Sequence, residues 1–280
     1  MKKKKTISIG KVFFNVPVAL ILIIIALLVL VPVIWMTFSA FKTEREIISW
    51  PPTFIPKTFT LENFVDVQGR INIIRYIANS VIYAGVTTAL AVVVNSMAGY
   101  AYAFYEFKGK TGTFLMTLAT MMVPFQVTMI PTYIICSKLN ILNSMSALII
   151  PFMVSGFGIF LCRQFAESIP NDILEAARID GAGEWRIFFG IVIHTIKPAI
   201  AALCIFIFMG RWNDYLWPLI AIVDEDKMTL PLALNFFNSS LLTDYCTSMS
   251  AGVLVMIPII IIYFIFQKQF IEGITMTGIK

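Results

Sequence analysis

Long apolar runs separated by short polar stretches dominate the pattern of the chain. A helix that rises about 1.5 Å per residue needs about 20 mostly apolar residues to cross about 30 Å of hydrocarbon. Windows that meet this requirement lie at residues 14–38, 77–102, 113–135, 144–165, 198–222 and 248–268. The pattern therefore predicts an all-α integral membrane protein with six transmembrane helices.

Composition supports this class, because 59% of the 280 residues are hydrophobic and only 13% are charged. The net charge is +5, but the basic residues are not clustered in a nucleic-acid-binding motif, which excludes nucleic-acid binding as the function. The first apolar run follows a lysine-rich start but is longer than the about 7–15 residues of a cleavable signal. We expect a short N-terminus, residues 1–13, followed by a retained first span.

Basic residues set the expected orientation. An even number of spans returns the C-terminal tail, residues 268–280, to the side of the N-terminus. Most of the 21 Lys and Arg residues fall on that side, together with the second and fourth connections. Because Lys and Arg accumulate in cytoplasmic loops, both termini are predicted to be cytoplasmic, and residues 14–280 to form one transmembrane domain.

The segment from about 166 to 197 is the one substantial polar element on the predicted cytoplasmic side. Ser168 is a predicted helix cap and Pro170 suits a first helical turn. Gly181 and Gly183 are predicted to end the helix, since glycine adopts the left-handed conformation that a helix end requires. Helical periodicity then resumes toward the fifth window, which predicts a helix, a turn and a second helix.

One face of the first helix of this segment is acidic. Asp172, Glu175 and Ile179 share it, while Ala176 and Ala177 leave the adjacent surface low. Two interpretations remain open at this point, docking to another protein and rest on lipid headgroups. The excess of carboxylates over arginine disfavours anionic lipid.

The same residues resemble a known signature. The string EAARIDGA, followed by IFFGIVI and KPAI, resembles the EAA signature of permease subunits of ABC importers. The chain is also similar to the carbohydrate-uptake branch of this family in the strings RYIANSVIYAG, PFQVTMIPTY, WNDYLWPLI and FIEGITMTGIK. Importers of that branch have two permease subunits, and this chain resembles the shorter, MalG-type subunit. The resemblance covers nearly the whole chain and implies the type I ABC importer permease fold in a bacterial or archaeal cytoplasmic membrane.

The resemblance also implies roles for the polar segment. In that family it is a coupling helix that enters a cleft of a cytoplasmic ATPase. By position, Glu175 would meet a basic residue of the ATPase and Ala176 and Ala177 would permit the fit, while Asp180 would support the turn and Gly181 would make it. The implied partners are a second, MalF-type permease, an ATPase dimer that binds ATP and magnesium, and an extracytoplasmic solute-binding protein. The implied cargo is a mono- or oligosaccharide, or a related polyol or glycerol phosphate.

The sequence departs from the family at His194, where a proline is usual, so the bend into the fifth span is expected to depend on Pro198. The lone His194 has no neighbouring ligands at metal spacing, and the four cysteines form no metal or redox motif. Cys136 and Cys246 both fall outside in the predicted topology, which leaves a disulfide between them open.

No phosphate-binding loop or hydrolase motif is present. The fragment GKT at Gly109 lacks the required earlier glycine, because Phe104 stands there. No nucleophile motif of the GxSxG type occurs. We therefore expect a protein that is not an enzyme and binds no cofactor, with ATP hydrolysed on partner subunits. An ion-coupled secondary carrier is the alternative.

Polar residues within the predicted spans are candidates for the translocation pathway. Arg211 and Asp214 are spaced to pair on one helix face, with Asn213 and Trp217 beside them. They are interpreted either as a pathway lining suited to sugars or as a structural ion pair. Further pathway candidates are Gln126 and Asn79. Pro124, Pro131 and Pro151 are predicted to bend their helices.

Overall fold

A computed structural model describes residues 9–70, 72–234 and 244–276, and this part of the chain is helical, without β-strands. The helices of the first half are α1 (Ile9–Ser39), α2 (Glu44–Ile47), α3 (Glu62–Arg70), α4 (Ile73–Phe104), α5 (Lys110–Thr120), α6 (Phe125–Lys138) and α7 (Met145–Ile149). Those of the second half are α8 (Gly156–Ala166), α9 (Asn171–Ile179), α10 (Glu184–Ile187), α11 (Ile193–Thr195), α12 (Lys197–Trp212), α13 (Leu216–Ala221), α14 (Leu230–Ala233) and α15 (Tyr245–Met276). Short 3₁₀ turns cover Ile150–Phe152 and Glu225–Lys227, and a π-helical turn covers Phe188–Val192.

Two helices are long and apolar enough to cross a membrane, Pro17–Ser39 within α1 and all of α4. Three further pairs meet the same criterion only together. They are α5 with α6, bent by 105°; Met145–Phe152 with α8, bent by 45°; and Glu184–Thr195 with α12, bent by 80°. If each pair is one span, the described residues contain up to five. The apolar start of α15, Tyr245–Ile261, is shorter, so the count of six stays a prediction.

Three predicted windows are more broken than the hydrophobic pattern indicated, and one of them, 144–165, bends by 45° between Met145–Phe152 and α8. The window 113–135 is interrupted between α5 and α6, where Pro124 is extended at φ −59°, ψ 139°. Proline disfavours helix in the residue before it and donates no backbone hydrogen bond, so the chain reverses there. The window 198–222 is not one helix either, because α12 ends at Trp212 and α13 is separate.

The chain divides into two compact units, Met1–Ile71 with Phe236–Met256 and Asn72–Asn235 with Ile257–Lys280. In the first unit, the Asn63 amide ties down the segment after α1 by donating to the carbonyls of Ala40 and Lys42, each over 2.8 Å. The Ser250 hydroxyl donates to the same Ala40 carbonyl over 3.0 Å. The carbonyls of Ala40 and Lys42 are thereby paired.

The core of the second unit forms where α4, α8 and α12 pack together. A Cβ atom added at Gly99 would lie 2.6 Å from the Cβ atom of Cys162, so these helices touch through bare backbone. Leu174, Ile187 and Phe188 belong to the same buried cluster. The polar segment after α8 is therefore attached directly to the packed spans.

The last long loop contains two short helical turns among its described residues. A 3₁₀ turn at Glu225–Lys227 and the single turn α14 are present. Residues 235–243 of that loop lie outside the described residues, as do residues 1–8 and 277–280 of the predicted cytoplasmic termini.

Candidate coupling site and polar cluster

The start of α9 differs slightly from the prediction. Pro170 occupies the cap position at φ −59°, ψ 132°, one residue before the first turn. The Ser168 hydroxyl donates to the Phe165 carbonyl over 2.7 Å, so it closes the end of the preceding helix and does not cap α9. A hydroxyl that already donates within its own turn is a common competitor of helix capping.

The two sides of α9 differ sharply in burial. Leu174 is fully buried in the core of the second unit, and Ala177 is half-buried. Asp172, Glu175 and Ala176 are exposed, and the Ile179 side chain is 85% exposed. The helix is thus anchored by one large apolar residue, and it presents an acidic surface together with the exposed Ile173 and Ile179.

Gly181 makes the turn after α9, as predicted. Its φ is +81°, in the left-handed region, and the Ala182 amide donates to the Ala177 carbonyl over 2.9 Å. The Asp180 amide donates to the Ala176 carbonyl over 2.9 Å, so Asp180 closes the helix through its backbone. Gly183 is ordinary extended backbone at φ −69° and precedes α10.

Glu184 joins three elements through its carboxylate. The Arg178 Nε atom at the end of α9 donates to Oε1 over 2.8 Å. The hydroxyls of Tyr100, in the last turn of α4, and Tyr105, just beyond it, donate to Oε2 over 2.8 Å and 2.5 Å. We call these four side chains the Glu184 clamp. Hydrogen bonds from Arg178 and then Tyr105 lower the pKa of Glu184 to about 2, which keeps it ionised.

The chain then bends into α12 by 80°. The helix is π-helical at Phe188–Val192, and His194 Nδ1 lies 3.1 Å from the Phe189 carbonyl. Ile196 leaves the helical conformation at ψ 15°, and Pro198 occupies the first turn of α12. Pro198 therefore stands at the bend in the absence of a proline at position 194.

A polar cluster lies where α12 ends. Arg211 and Asp214 form an ion pair of 3.0 Å, with their side chains 22% and 12% exposed. The Tyr83 hydroxyl of α4 donates to Asp214 over 2.7 Å, and the Arg211 guanidinium lies 3.8 Å from the ring centre of Phe152. Both charges are neutralised by neighbours in the same unit.

Other pathway candidates occupy contrasting positions. Trp217 is fully buried, and its indole N–H donates to the Ala147 carbonyl over 3.0 Å. The Asn79 amide donates to the carbonyls of Asp226 and Met228, each over 2.9 Å, and so fastens the loop before α14. Asn213 and Gln126 are exposed.

Comparison with protein families decides the class. Residues 95–275 match the family described as binding-protein-dependent transport system inner membrane component. The chain belongs to this permease family.

Close relatives of this permease have names that specify several cargoes. The arabinooligosaccharides transport system permease protein AraQ of Halalkalibacterium halodurans is 34% identical over 259 residues, 91% of this chain and 93% of the relative. The lactose transport system permease protein LacG of Rhizobium radiobacter is 33% identical over 253 residues, 90% and 92% of the two chains. The sn-glycerol-3-phosphate transport system permease protein UgpE of Escherichia coli is 32% identical over 244 residues, 84% and 87%.

One solved structure has the same fold. It is a bacterial ABC transporter involved in the import of the acidic polysaccharide alginate, with a TM-score of 0.82, 24% identity, and coverage of 95% of this permease and 99% of that chain. At this identity the likeness shows the fold alone. The predicted ABC importer permease fold is confirmed, and membership implies work with an ATPase and a solute-binding protein.

Sequence reasoning missed several of the polar contacts of this permease. Nothing in the sequence connects Glu184 with Tyr100 and Tyr105, because each tyrosine lies about 80 residues before Glu184 and only the fold brings them together. Tyr83 escaped notice for the same reason. Among the described residues the four cysteines are free thiols, and no group of His, Cys, Asp and Glu is arranged to hold a metal ion.

Proposed function

We propose that this permease forms half of the translocation pathway of an ATP-driven carbohydrate importer, and that a separate ATPase drives it through α9. The observation that carries the proposal is the free acidic face of α9, with Glu175 exposed beside Ala176 while Leu174 anchors the helix in the packed spans. A helix that rests only on lipid would be expected to offer a basic polar face.

The shape of α9 suits insertion into a protein cleft. It is nine residues long, about 13 Å at 1.5 Å per residue, and its exposed side carries the small Ala176 beside the carboxylate of Glu175. A basic residue in the cleft would pair with Glu175, and Ile179 would bury its exposed side chain. Asp180 and Gly181 hold the reversal that makes the helix protrude.

The proposed assembly contains partners beyond this chain. A second, homologous permease of the MalF type would complete the pathway, an ATPase dimer would bind ATP and magnesium, and an extracytoplasmic solute-binding protein would deliver cargo. In the proposed topology both termini and α9 are cytoplasmic, following the distribution of Lys and Arg. Closure of the ATPase on ATP must favour one conformation of the spans by about 5.5 kcal/mol to shift it from 1:99 to 99:1.

The proposed cargo is a mono- or oligosaccharide, or a related polyol or glycerol phosphate. The relatives carry names that specify polyhydroxylated solutes, both neutral and phosphorylated. Within this chain, Asn213 and Gln126 are exposed and are the proposed solute contacts. Arg211, Asp214, Trp217 and Asn79 have their polar groups paired internally and are proposed to shape the wall behind those contacts.

Reconstitution tests this function. The permease, its ATPase, its second permease and its binding protein would be placed in proteoliposomes, and uptake of labelled sugars would be measured with internal ATP or with a proton or sodium gradient. We expect uptake that needs ATP and the binding protein. Uptake driven by an ion gradient without ATP would favour a secondary carrier and refute the proposal.

A further inference from the structure

The Glu184 clamp connects the coupling region to a different span from the one that follows it in the chain. Glu184 begins α10 and Arg178 lies in the last turn of α9, while Tyr100 lies in the last turn of α4 and Tyr105 just beyond it. Without this carboxylate, α9 would be connected to the spans through the packing of the buried Leu174 and through the backbone that leads on to α12. The clamp adds a polar, directional attachment to α4.

The hydrogen bonds of the Glu184 clamp are strong although the side chains of Arg178 and Glu184 are partly exposed. The Arg178 guanidinium contacts both oxygens of the carboxylate, Nε to Oε1 over 2.8 Å and Nη2 to Oε2 over 3.4 Å. Hydrogen bonds to an ionised group are shorter and about twice as strong as neutral ones. The Tyr100 ring also packs against Phe188, with ring centres 5.8 Å apart, so the hydroxyl is held in position by the core.

The first half of α4 contributes to the polar cluster. Tyr83 lies on the same helix, 17 residues before Tyr100, which corresponds to about 26 Å at 1.5 Å per residue. Its hydroxyl donates to Asp214 over 2.7 Å. Between these two tyrosines, α4 is continuous helix that packs on α8 and α12. One continuous helix is therefore hydrogen-bonded near its C-terminal end to the coupling region and in its first half to the cluster beside α12.

We infer that Glu184 is a positioning residue that transmits displacement of α9 to α4, and through α4 to the Arg211–Asp214 cluster. The inference rests on the proposed function, because it requires an ATPase that moves α9. It assigns a task to residues outside the EAARIDGA string. A break in the clamp would leave the ATPase attached but would weaken the link between its closure and the movement of the spans.

The test measures solute imported per ATP hydrolysed by the complete complex in proteoliposomes. Two variants open the clamp without removing core atoms, Glu184→Gln and the double variant Tyr100→Phe with Tyr105→Phe. Each is expected to lower import per ATP at least about fivefold, the lower end of typical couplings between linked sites, while the ATPase remains bound during purification. Combining all three substitutions should add little, since they break one network.

Glu106→Gln is the matched control. Glu106 follows Tyr105 and pairs with Lys110 over 2.9 Å, with its side chain 88% exposed. This variant should retain normal import per ATP. Thermal unfolding of each purified complex identifies any variant that fails to fold, and the tyrosine variants, which lose only hydroxyls, keep the test valid if Glu184→Gln unfolds.

The outcomes separate the two proposals. Unchanged import per ATP in both clamp variants would overturn the inference, as would loss of the ATPase from them, which would make the clamp part of the docking surface. Glu175→Lys tests the proposed function independently. If that variant loses the ATPase while the clamp variants behave normally, the inference alone fails.

Discussion

Arg178 and Glu184 face each other across the turn at Gly181, with Nε of the first 2.8 Å from Oε1 of the second. They are six residues apart, a spacing that places side chains far apart on a regular helix. The left-handed Gly181 reverses the chain and brings them together. The position of α9 relative to α10 thus depends on one glycine and one ion pair.

Replacement of Gly181 tests the turn. A Cβ atom at this position would meet nothing within 4 Å, so Gly181→Ala is expected to cost about 1–2 kcal/mol through left-handed backbone strain alone. Import should fall because α9 is misplaced. Gly183→Ala is the matched control, since Gly183 has equal space and an extended φ of −69°, and should change the unfolding free energy by less than about 0.5 kcal/mol. Equal effects of the two substitutions, measured by thermal unfolding and import, would contradict this explanation.

The Glu184 clamp has an expected signature in pH titration. The folded pKa of about 2 lies below the ordinary value of 4.5, so the stability that the clamp contributes is present above about pH 4.5 and is lost as the pH falls toward 2. Carboxyl titration by NMR, with Glu184→Gln to assign the signal, should show Glu184 ionised at about pH 4. Arg178→Gln should move the titration upward. A wild-type midpoint at the ordinary value would rule out the clamp as described.

The Arg211–Asp214 pair is expected to behave as a buried network. Arg211→Met removes the charged partner of Asp214, whose side chain is only 12% exposed, and this should cost about 1–3 kcal/mol of unfolding free energy. The double variant Arg211→Met with Asp214→Leu should cost less than the sum of the single variants, because no charge is left unpaired. The ATPase should remain attached in all three.

Lys227 and Asp224 provide the control for that cycle. They form an ion pair with the same spacing, over 2.7 Å, but their side chains are 43% and 52% exposed. Their removal should change the unfolding free energy by no more than about 1 kcal/mol. If the two pairs respond alike, burial does not determine the behaviour of Arg211.

The sequence was sufficient for features that depend on local chemistry. The spans α1 and α4, the polar segment, the exposed face with Glu175 and the turn at Gly181 all follow from residue type and spacing. The structural effect of the prolines could be predicted from the sequence only in part. Pro124 does interrupt its window, whereas Pro131 lies inside α6 without ending it, because neighbouring structure determines whether a proline ends a helix.

What the sequence could not supply was the pairing of distant residues. Trp217 looks from its neighbours like a surface for sugar, yet the fold buries it and pairs its indole with Ala147. The hydroxyls of Tyr83 and Tyr100 donate to carboxylates that lie more than 80 residues later in the chain. Spacing rules reach three or four residues along a helix, and such contacts exist only after α4, α8 and α12 have packed.

The central claim is that an ATPase drives this permease through Glu175. The direct measurement is ATP-driven import by Glu175→Lys, together with the amount of ATPase that co-purifies, against Glu106→Lys as a charge-matched control on an exposed residue elsewhere. A like charge placed against a basic cleft leaves an unpaired buried charge, which costs about 3–5 kcal/mol. We predict loss of both import and ATPase for Glu175→Lys, with neither lost in the control. Full import by Glu175→Lys with its ATPase in place would contradict the account.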